Sequence, residues 1–403
     1  MPDVGKLSVL YFGDQWDDLW RRRQQLALHL SRQPDIAAAV YVELPLPLTS
    51  LARYAAGRAD RDAVARWRRV LRRGTVFRHE RVTIVTPIVP FRLYSGAQAS
   101  AWNARFAWPQ VRRAWARASG GSRPIVWAGH PYAGLFLDKT PRGLLCYDYT
   151  EDFSTFRHLS PASRTLFGRL DRLLTARADV LFVQTQPHMT NKRAQNPNTF
   201  LLPNAADIAR LVAASDGPEP PEMARIPRPR IGFTGSVGYR VDMDLLESLA
   251  RKRPEWSFVL IGPVDDQRDQ ERLAANGNVY LLGRRPYEEL GRYLPWIDVG
   301  LIPYRILPEM GNPLKLYDYL AFGKPVVGTP ILGLEEMGKW VALGRTPADL
   351  TAAIERALSE NDEGLRERRK AFARQQTWQE RARLAWDVLS ARLVVSNASP
   401  TGS

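Results

Sequence analysis

The densest set of chemically useful residues lies between Gly311 and Gly328, in the stretch GNPLKLYDYLAFGKPVVG. Lys315 and Asp318 stand three apart, so on a helix they share one face. Asn312 can cap that helix, and Pro313 suits its first position, where a missing N–H costs nothing. Leu314, Tyr317 and Leu320 or Ala321 recur at helical spacing and supply a packing face. Gly323 suits a left-handed stop, and Pro325 then opens a short apolar strand. A cation, free backbone N–H groups and a carboxylate thus converge at one helix start, a set that suits a diphosphate with a ribose behind it. An ordinary i,i+3 surface ion pair has the same spacing.

Three further groups could do chemistry. Gly235-Ser236-Val237-Gly238-Tyr239-Arg240 follows an apolar run, RIGFT, and precedes a helical pattern, so its backbone N–H groups can approach phosphate. Asp148, Glu151 and Asp152 cluster after the apolar run Leu144–Tyr147, where a carboxylate can take a proton from a hydroxyl or can cap the following helix. His130 follows the run PIVWA in a Gly/Pro turn, as a ligand-edge residue or a histidine bonded to loop backbone. No Cys/His cluster has metal-ligand spacing, so no metal and no cofactor are expected.

The elements that position these groups alternate as strand and helix. Strands are expected at Leu7–Phe12, Ile36–Val42, Val82–Val85, Pro124–Ala128, Leu144–Tyr147, Val180–Gln184 and Phe200–Pro203. After SDGPEPPEMARIPRP the pattern restarts, with Arg230–Thr234, Trp256–Ile261, Val279–Leu282, Val299–Tyr304 and Val326–Val327. Helices are expected at Arg21–Arg32, Leu51–Arg73, Ala101–Ala118, Leu166–Ala178, Met243–Ala250, Tyr287–Trp296, Ala348–Leu358 and Trp378–Leu393. This is an α/β chain of two doubly wound parallel sheets, whose ligands bind beyond the carboxyl ends of the strands. The expected domains are residues 1–214, a linker 215–229, residues 230–375, and a helix and tail over 376–403 that crosses back to the first domain.

The 403 residues include 57 Lys and Arg against 42 Asp and Glu, a net charge of +15. Such a balance points to an anionic partner, or to arginine simply replacing lysine on solvated faces. Arginines crowd residues 51–81 beside an apolar stripe of Leu51, Tyr54, Ala55, Val64, Trp67, Val70 and Leu71. The stripe reads either as an anionic-membrane face or as core packing. No recognition-helix or RNA-binding signature accompanies the charge, so no specific nucleic acid is expected. The opening residues lack a signal-peptide pattern, no stretch nears ~20 apolar residues, and Cys146 alone cannot form an internal disulfide. A cytoplasmic protein, peripheral at the inner face of the plasma membrane, is the expectation.

The Asn312–Val327 stretch resembles the PxKLYEYLAxGKPVV signature of family 4-like glycosyltransferases with the GT-B fold: two facing Rossmann-like domains around an interdomain cleft. Trp16, Asp17 and Arg21–Arg23 resemble the W-D-x-x-W-x-R-x-Q-Q-L-A opening of that group, which implies acceptor contacts from Trp16 and Arg21. DYTEDF resembles its YDxxDDYxxF segment. In an inverting relative, a xanthan-type exopolysaccharide glucuronosyltransferase acting on a lipid carrier, that segment holds the catalytic Asp, and register favours Glu151, with Asp152 or Asp148 as rivals. The resemblance implies donor contacts from Gly235, Ser236, Arg240, Arg284, Arg285, Asn312, Lys315, Leu316 and Asp318. It departs at Asp318, where the family usually has Glu, at Ala205, where a PNGVD-like turn usually has Gly, and at Met310 beside Glu309, where many members have another Glu.

The resemblance implies a hexosyl transfer from a UDP-, GDP- or dTDP-linked sugar to a lipid-linked or polymeric saccharide, with His130 shaping the site if the reaction is retaining. A sugar-nucleotide epimerase of the same fold and a non-catalytic nucleotide-sugar or saccharide-binding protein share the donor residues and remain alternatives.

Overall fold

In the computed structural model the described residues are 7–17, 20–58, 61–91, 97–141, 143–156, 159–307, 311–360 and 362–398. Glu309, Met310 and the tail beyond residue 398 lie outside them. The chain divides into two compact units, residues 1–202 with 381–403, and residues 203–380.

The first unit is built on an eight-stranded sheet. Its strands are β1 (Leu7–Phe12), β2 (Ile36–Val42), β4 (Val76–His79), β5 (Val82–Val85), β7 (Arg123–Ala128), β8 (Leu144–Tyr149), β9 (Val180–Val183) and β10 (Thr199–Leu201), with β3 (Leu46–Pro47) and β6 (Ile88–Val89) pairing separately. The spatial order is β10-β9-β8-β7-β1-β2-β5-β4, parallel throughout except β4 on β5. All six residues of β1 are buried, as a strand covered on both faces requires. The edge strand β4 was not expected from sequence. Its VFRH alternates exposed and half-buried residues, and charged side chains suit an unpaired edge.

The second unit has a six-stranded parallel sheet in the order β13-β12-β11-β14-β15-β16. The strands are β11 (Arg230–Thr234), β12 (Ser257–Ile261), β13 (Val279–Gly283), β14 (Val299–Ile302), β15 (Val326–Gly328) and β16 (Val341–Leu343). The chain runs from β11 outward to β12 and β13, then returns to the other side of β11 for β14, β15 and β16. The first sheet reverses in the same way between β1 and β7. Each reversal leaves a crevice beyond the carboxyl ends of two neighbouring strands.

Several boundaries differ from the sequence expectation. The division falls after Leu202 rather than at 214, because the helix Ile208–Ala213 packs within the second unit. There Arg210 pairs with Glu288 at 3.0 Å, and a Cβ on Gly291 would meet the Leu211 carbonyl at 1.9 Å. Residues 215–229 are not a free linker. Met223 and Ile226 are buried, Tyr293 donates to Glu222 at 2.7 Å, and Arg230 pairs with Glu219. The expected helix Tyr287–Trp296 is two 3-10 turns, Tyr287–Arg292 and Leu294–Trp296, and Pro295 has no N–H to continue an α-helix.

Leu51–Arg73 is two helices, Leu48–Ala55 and Arg61–Arg73. Part of their apolar stripe faces inward: Trp67 and Val70 bury against Leu46, with Leu51, Tyr54 and Ile88 packed around them. Arg66 donates to the Leu44 carbonyl and Arg69 to Glu43 and the Trp16 carbonyl. Trp67 and Val70 of the stripe are therefore core packing, whereas Ala55 and Leu71, the latter 64% exposed, lie at the surface. Among the described residues no helix is long and apolar enough to cross a membrane.

The helix Arg22–Leu30 is fastened over the first sheet by one buried ion pair. The Arg22 guanidinium donates to both oxygens of Asp148, at 2.7 Å from Nη2 and 3.0 Å from Nε, and the Asp148 side chain has no exposure. Removing one member of such a pair leaves an uncompensated buried charge, worth about 3–5 kcal/mol. Asp148→Ala and Arg22→Ala should each lower the stability of the first unit by about that amount. Urea unfolding followed by circular dichroism checks this, and an unchanged midpoint would show the pair to be dispensable.

Candidate functional site

At the carboxyl ends of β11 and β14 the second sheet opens, and the helix Leu314–Ala321 is pinned over that opening by Tyr319. Its hydroxyl accepts from the Thr234 N–H at 2.9 Å and donates to the Gly232 carbonyl at 3.2 Å. Its ring fills the space over Gly300, where a Cβ would come within 2.4 Å. One turn earlier, Lys315 lies against the Phe233 ring, 3.6 Å from its centroid, and donates to the Tyr304 hydroxyl at 2.7 Å. Gly235 has φ +113°, and a Cβ there would sit 3.2 Å from Lys315 Nζ, so both backbone and space call for glycine.

Burial sets the charge states. It pushes the Lys315 ammonium well below its ordinary pKa, opposed by Asp318 and reinforced by Arg240. Asp318 is buried and accepts from the Tyr287 hydroxyl at 2.9 Å. Burial pushes it up to about 7, against the pull of that hydrogen bond and of Lys315, with Asp207 adding to the rise. An anion arriving here would favour the protonated lysine, and a hydroxyl donor would favour the ionised aspartate.

The helix start is not capped by a side chain. Pro313, with φ −76° and ψ 132°, is the N-cap, so the expected capping by Asn312 is corrected. Asn312 is buried and donates through Nδ2 to the Gly333 carbonyl at 3.2 Å. The first backbone N–H groups of the helix therefore remain an anion-seeking end beside Lys315. In the turn after β11, Ser236 Oγ donates to Asp265 at 2.5 Å, and Asp265 also crowds Gly238. Half-buried Arg240 bonds Tyr239 at 3.2 Å.

In the first unit the opening lies between β1 and β7, whose chains run on into Gly13-Asp14 and Gly129-His130. Arg23, only 12% exposed at its side chain, ties them together. It donates to Asp14 at 2.8 Å, to Thr150 at 2.9 Å and to the Gly129 carbonyl, and its guanidinium stands 5.8 Å over the Phe153 ring. Burial acts to raise the Asp14 carboxyl, but Arg23, Arg21 and His130 outweigh it and hold it below the usual range. His130 is neutral: burial, then the Arg23 charge, push it down to about 3, and its Nδ1 accepts from the Tyr132 N–H at 3.2 Å.

Residues 228–360 match the family described as Glycosyl transferases group 1. A Bacillus subtilis (strain 168) protein named as a glycosyltransferase of teichuronic acid biosynthesis, TuaH, is 34% identical over 157 residues, a match that spans 37% of this chain and 40% of that relative's length. Among solved structures, the sucrose-phosphate synthase of Thermosynechococcus elongatus superposes with a TM-score of 0.65 at 15% identity, over 97% of this chain and 100% of that one. HepE of Anabaena, in complex with UDP and glucose, gives 0.63 at 13% identity over 96% and 99%. The fold is GT-B, and the residues that match the group 1 family lie in its second unit.

Within this GT-B chain the structure brings Gly235, Arg240, Lys315 and Asp318 to one sheet edge, and Glu151, Asp152 and His130 to the other unit's edge. It sets several expected residues elsewhere. Leu316 is a core side chain with no exposure. Arg285 is committed to the Tyr293 hydroxyl at 2.8 Å and to Glu222, while Arg284 beside it is exposed. Asp148, spent on Arg22, cannot serve an acceptor hydroxyl. Asp152 caps the turn Phe153–Thr155, accepting from the Ser154 N–H at 2.9 Å. Glu151 is half-buried in the field of Arg23. Trp16 is buried against Trp20, Tyr41 and His79, with its backbone N–H on Glu43, so it is packing rather than an acceptor platform. Arg21 begins the helix Arg22–Leu30 and pairs with Asp17 at 3.0 Å.

Sequence reasoning missed Asp14, Tyr287, Tyr304 and Tyr319 as parts of these clusters. Asp14 carried the same signal as His130, a polar residue directly after a buried strand. The tyrosines carried none, since spacing cannot separate a tyrosine that bonds a lysine from one that fills a core.

The buried acid and the buried imidazole have opposite linkage. Above pH ~4 an unfolded Asp318 has lost a proton that the folded one keeps until about 7, so its contribution to stability falls as pH rises through that window. His130, lowered to about 3, makes stability fall as pH drops below ~6.5. Asp318→Asn should therefore gain stability over the parent as pH rises from 4.5 to 7.5, read from urea midpoints. A constant difference across that range would remove the buried-acid assignment.

Proposed function

We propose that this protein transfers a sugar from a nucleoside-diphosphate sugar to a hydroxyl of a saccharide acceptor, polymeric or lipid-linked, in the making of a cell-surface glycan. The observation that carries the reading is the Lys315 ammonium, held by Tyr304 and Phe233 beside Gly235 at an uncapped helix start. That is a preformed seat for a diphosphate. Asp318, with Tyr287 behind it, suits a ribose or sugar hydroxyl. The Bacillus subtilis relative's name supports a cell-surface polymer as product, and the UDP bound in the Anabaena neighbour supports a uridine-linked donor.

In the proposed reaction the bond from the anomeric carbon to the diphosphate breaks, and its electron pair stays on the departing phosphate oxygen. Lys315 and the helix N–H groups stabilise that charge as it develops, which is electrostatic catalysis by groups already in place. The acceptor oxygen bonds to the anomeric carbon and loses its proton. If configuration inverts, Glu151, the acid that the register of the DYTEDF segment favours, takes that proton. The first unit would present Glu151, His130 and the Asp14–Arg23 pair to the acceptor.

A thermal-shift screen against UDP-, GDP-, dTDP- and CMP-sugars, with the free nucleotides, tests the donor site, because a ligand specific for the folded state raises the midpoint. One donor class should stabilise, and Lys315→Ala should abolish the shift and cost about 10²–10³ in transfer. No shift with any of them at high concentration would overturn the reading. Product analysis without acceptor separates transfer from epimerisation of the donor.

Glu151→Gln should lower turnover by about 10²–10⁴ while leaving the donor-induced shift intact. Normal turnover in that variant would remove Glu151 as the base.

A further inference from the structure

The helix Ala97–Ser119 has two unlike faces. Ala104, Ala107, Val111 and Ala114 bury into the first unit's core. The outward face carries Trp102, 54% exposed, and Phe106, 49% exposed, with ring centroids 6.5 Å apart. The Arg105 guanidinium lies 6.0 Å over the Trp102 ring, and Arg112, Arg113 and Arg117 continue the same face. The helix contains no Asp or Glu, and among the described residues no carboxylate pairs with these four arginines.

A third exposed aromatic residue stands on a segment whose backbone is bonded along this helix. Buried Asn103 accepts from the Phe91 N–H and donates to the Phe91 carbonyl, both at 3.1 Å. The Phe91 side chain is nevertheless 46% exposed. Gln110 grips Ile88 in the same two-handed way, at 3.0 and 2.8 Å. The backbone of 88–91 is thus fastened along the helix, and Phe91 is displayed from that fastened segment rather than from a loose loop.

Exposed aromatic rings cost free energy in water, so several held on one element mark a contact surface. The geometry points to an anionic lipid bilayer as the occupant: Trp102, Phe106 and Phe91 enter the interface, and Arg105, Arg112, Arg113 and Arg117 meet acidic headgroups. Tryptophan and phenylalanine beside arginine suit the headgroup boundary, where a ring finds apolar surface and a guanidinium finds phosphate. Four cations with no carboxylate partner among the described residues match a negative surface potential. A helix face is convex and offers no groove, which suits a deformable bilayer better than a folded protein. The surface differs from the Arg61–Arg73 helix, whose Trp67 and Val70 are already buried. Its purpose rests on the lipid-linked half of the proposed function, since an enzyme serving such an acceptor must work at a bilayer.

The test uses the full chain and vesicles of phosphatidylcholine alone or mixed equally with phosphatidylglycerol. The protein should co-sediment with the mixed vesicles only. Trp102→Gln with Phe106→Gln should lower the partition coefficient about tenfold, as should Arg112→Gln with Arg113→Gln and Arg117→Gln. Thermal midpoints should be unchanged, because these side chains are exposed. Leu71→Gln with Arg72→Gln and Arg73→Gln should leave the partition coefficient within about twofold of the parent. Equal binding to neutral vesicles, undiminished binding by the aromatic variant, or loss only in the Leu71 variant would overturn the assignment. So would a dimer in sedimentation velocity that the aromatic variant dissociates, or tighter binding to single-stranded nucleic acid than to mixed vesicles. The sugar-nucleotide thermal shift is read separately, so failure at the bilayer leaves the donor site standing, and failure of the donor site leaves the bilayer result readable.

Discussion

A parallel strand cannot turn directly into its parallel neighbour; it must cross over, and where the crossovers change direction two strand ends are left without a covering connection. That constraint acts twice here, between β1 and β7 and between β11 and β14. Nearly every group with unusual chemistry sits at one of these two openings. The first collects Asp14, Arg23, His130 and Glu151, and the second Gly235, Tyr304, Lys315 and Asp318. The rest of each sheet is ordinary apolar packing.

The two openings keep their charges differently. In the first unit, buried charge is paired: Arg22 with Asp148 and Arg23 with Asp14, each carboxylate answered by a guanidinium. The Arg22 pair fastens a helix, while burial, helped by the Arg23 charge and opposed by Asp14, keeps His130 neutral at the sheet edge. In the second unit, Lys315 has a phenol and a ring as its nearest company, and Asp318 has a phenol. Those neighbours hold the side chains in place without neutralising them. The proposed donor site would gain from such incomplete satisfaction, since binding an anion and a hydroxyl would restore the charge states that burial disfavours.

The excess of positive charge is divided by the fold in a way that composition cannot convey. Arg66 and Arg69 turn inward to carbonyls and a carboxylate, whereas the arginines of Ala97–Ser119 remain on the surface with exposed aromatic rings. Two arginine-rich helices of one unit therefore do different work, and the difference lies in which of them buries its aromatic residues.

By itself the sequence determined the alternation of strands and helices, because continuous apolar runs such as LSVLYF and LLCYDY are legible without neighbours. It determined the Lys315 helix and its glycine stop, because helical spacing and left-handed backbone are local properties. It placed Gly235 and His130 just after strands, and Lys315 and Asp318 on one face of that helix, for the same reason. Only the tertiary structure told three neighbouring acids apart: Asp148, Glu151 and Asp152 are close in the chain, and a partner 126 residues away in Arg22 takes the first. Only the tertiary structure assigned Tyr319, Tyr304 and Tyr287 to hold the helix, its lysine and its aspartate, and placed Trp67 inside and Trp102 outside. Such choices depend on burial and on contacts distant in sequence, which no local pattern encodes.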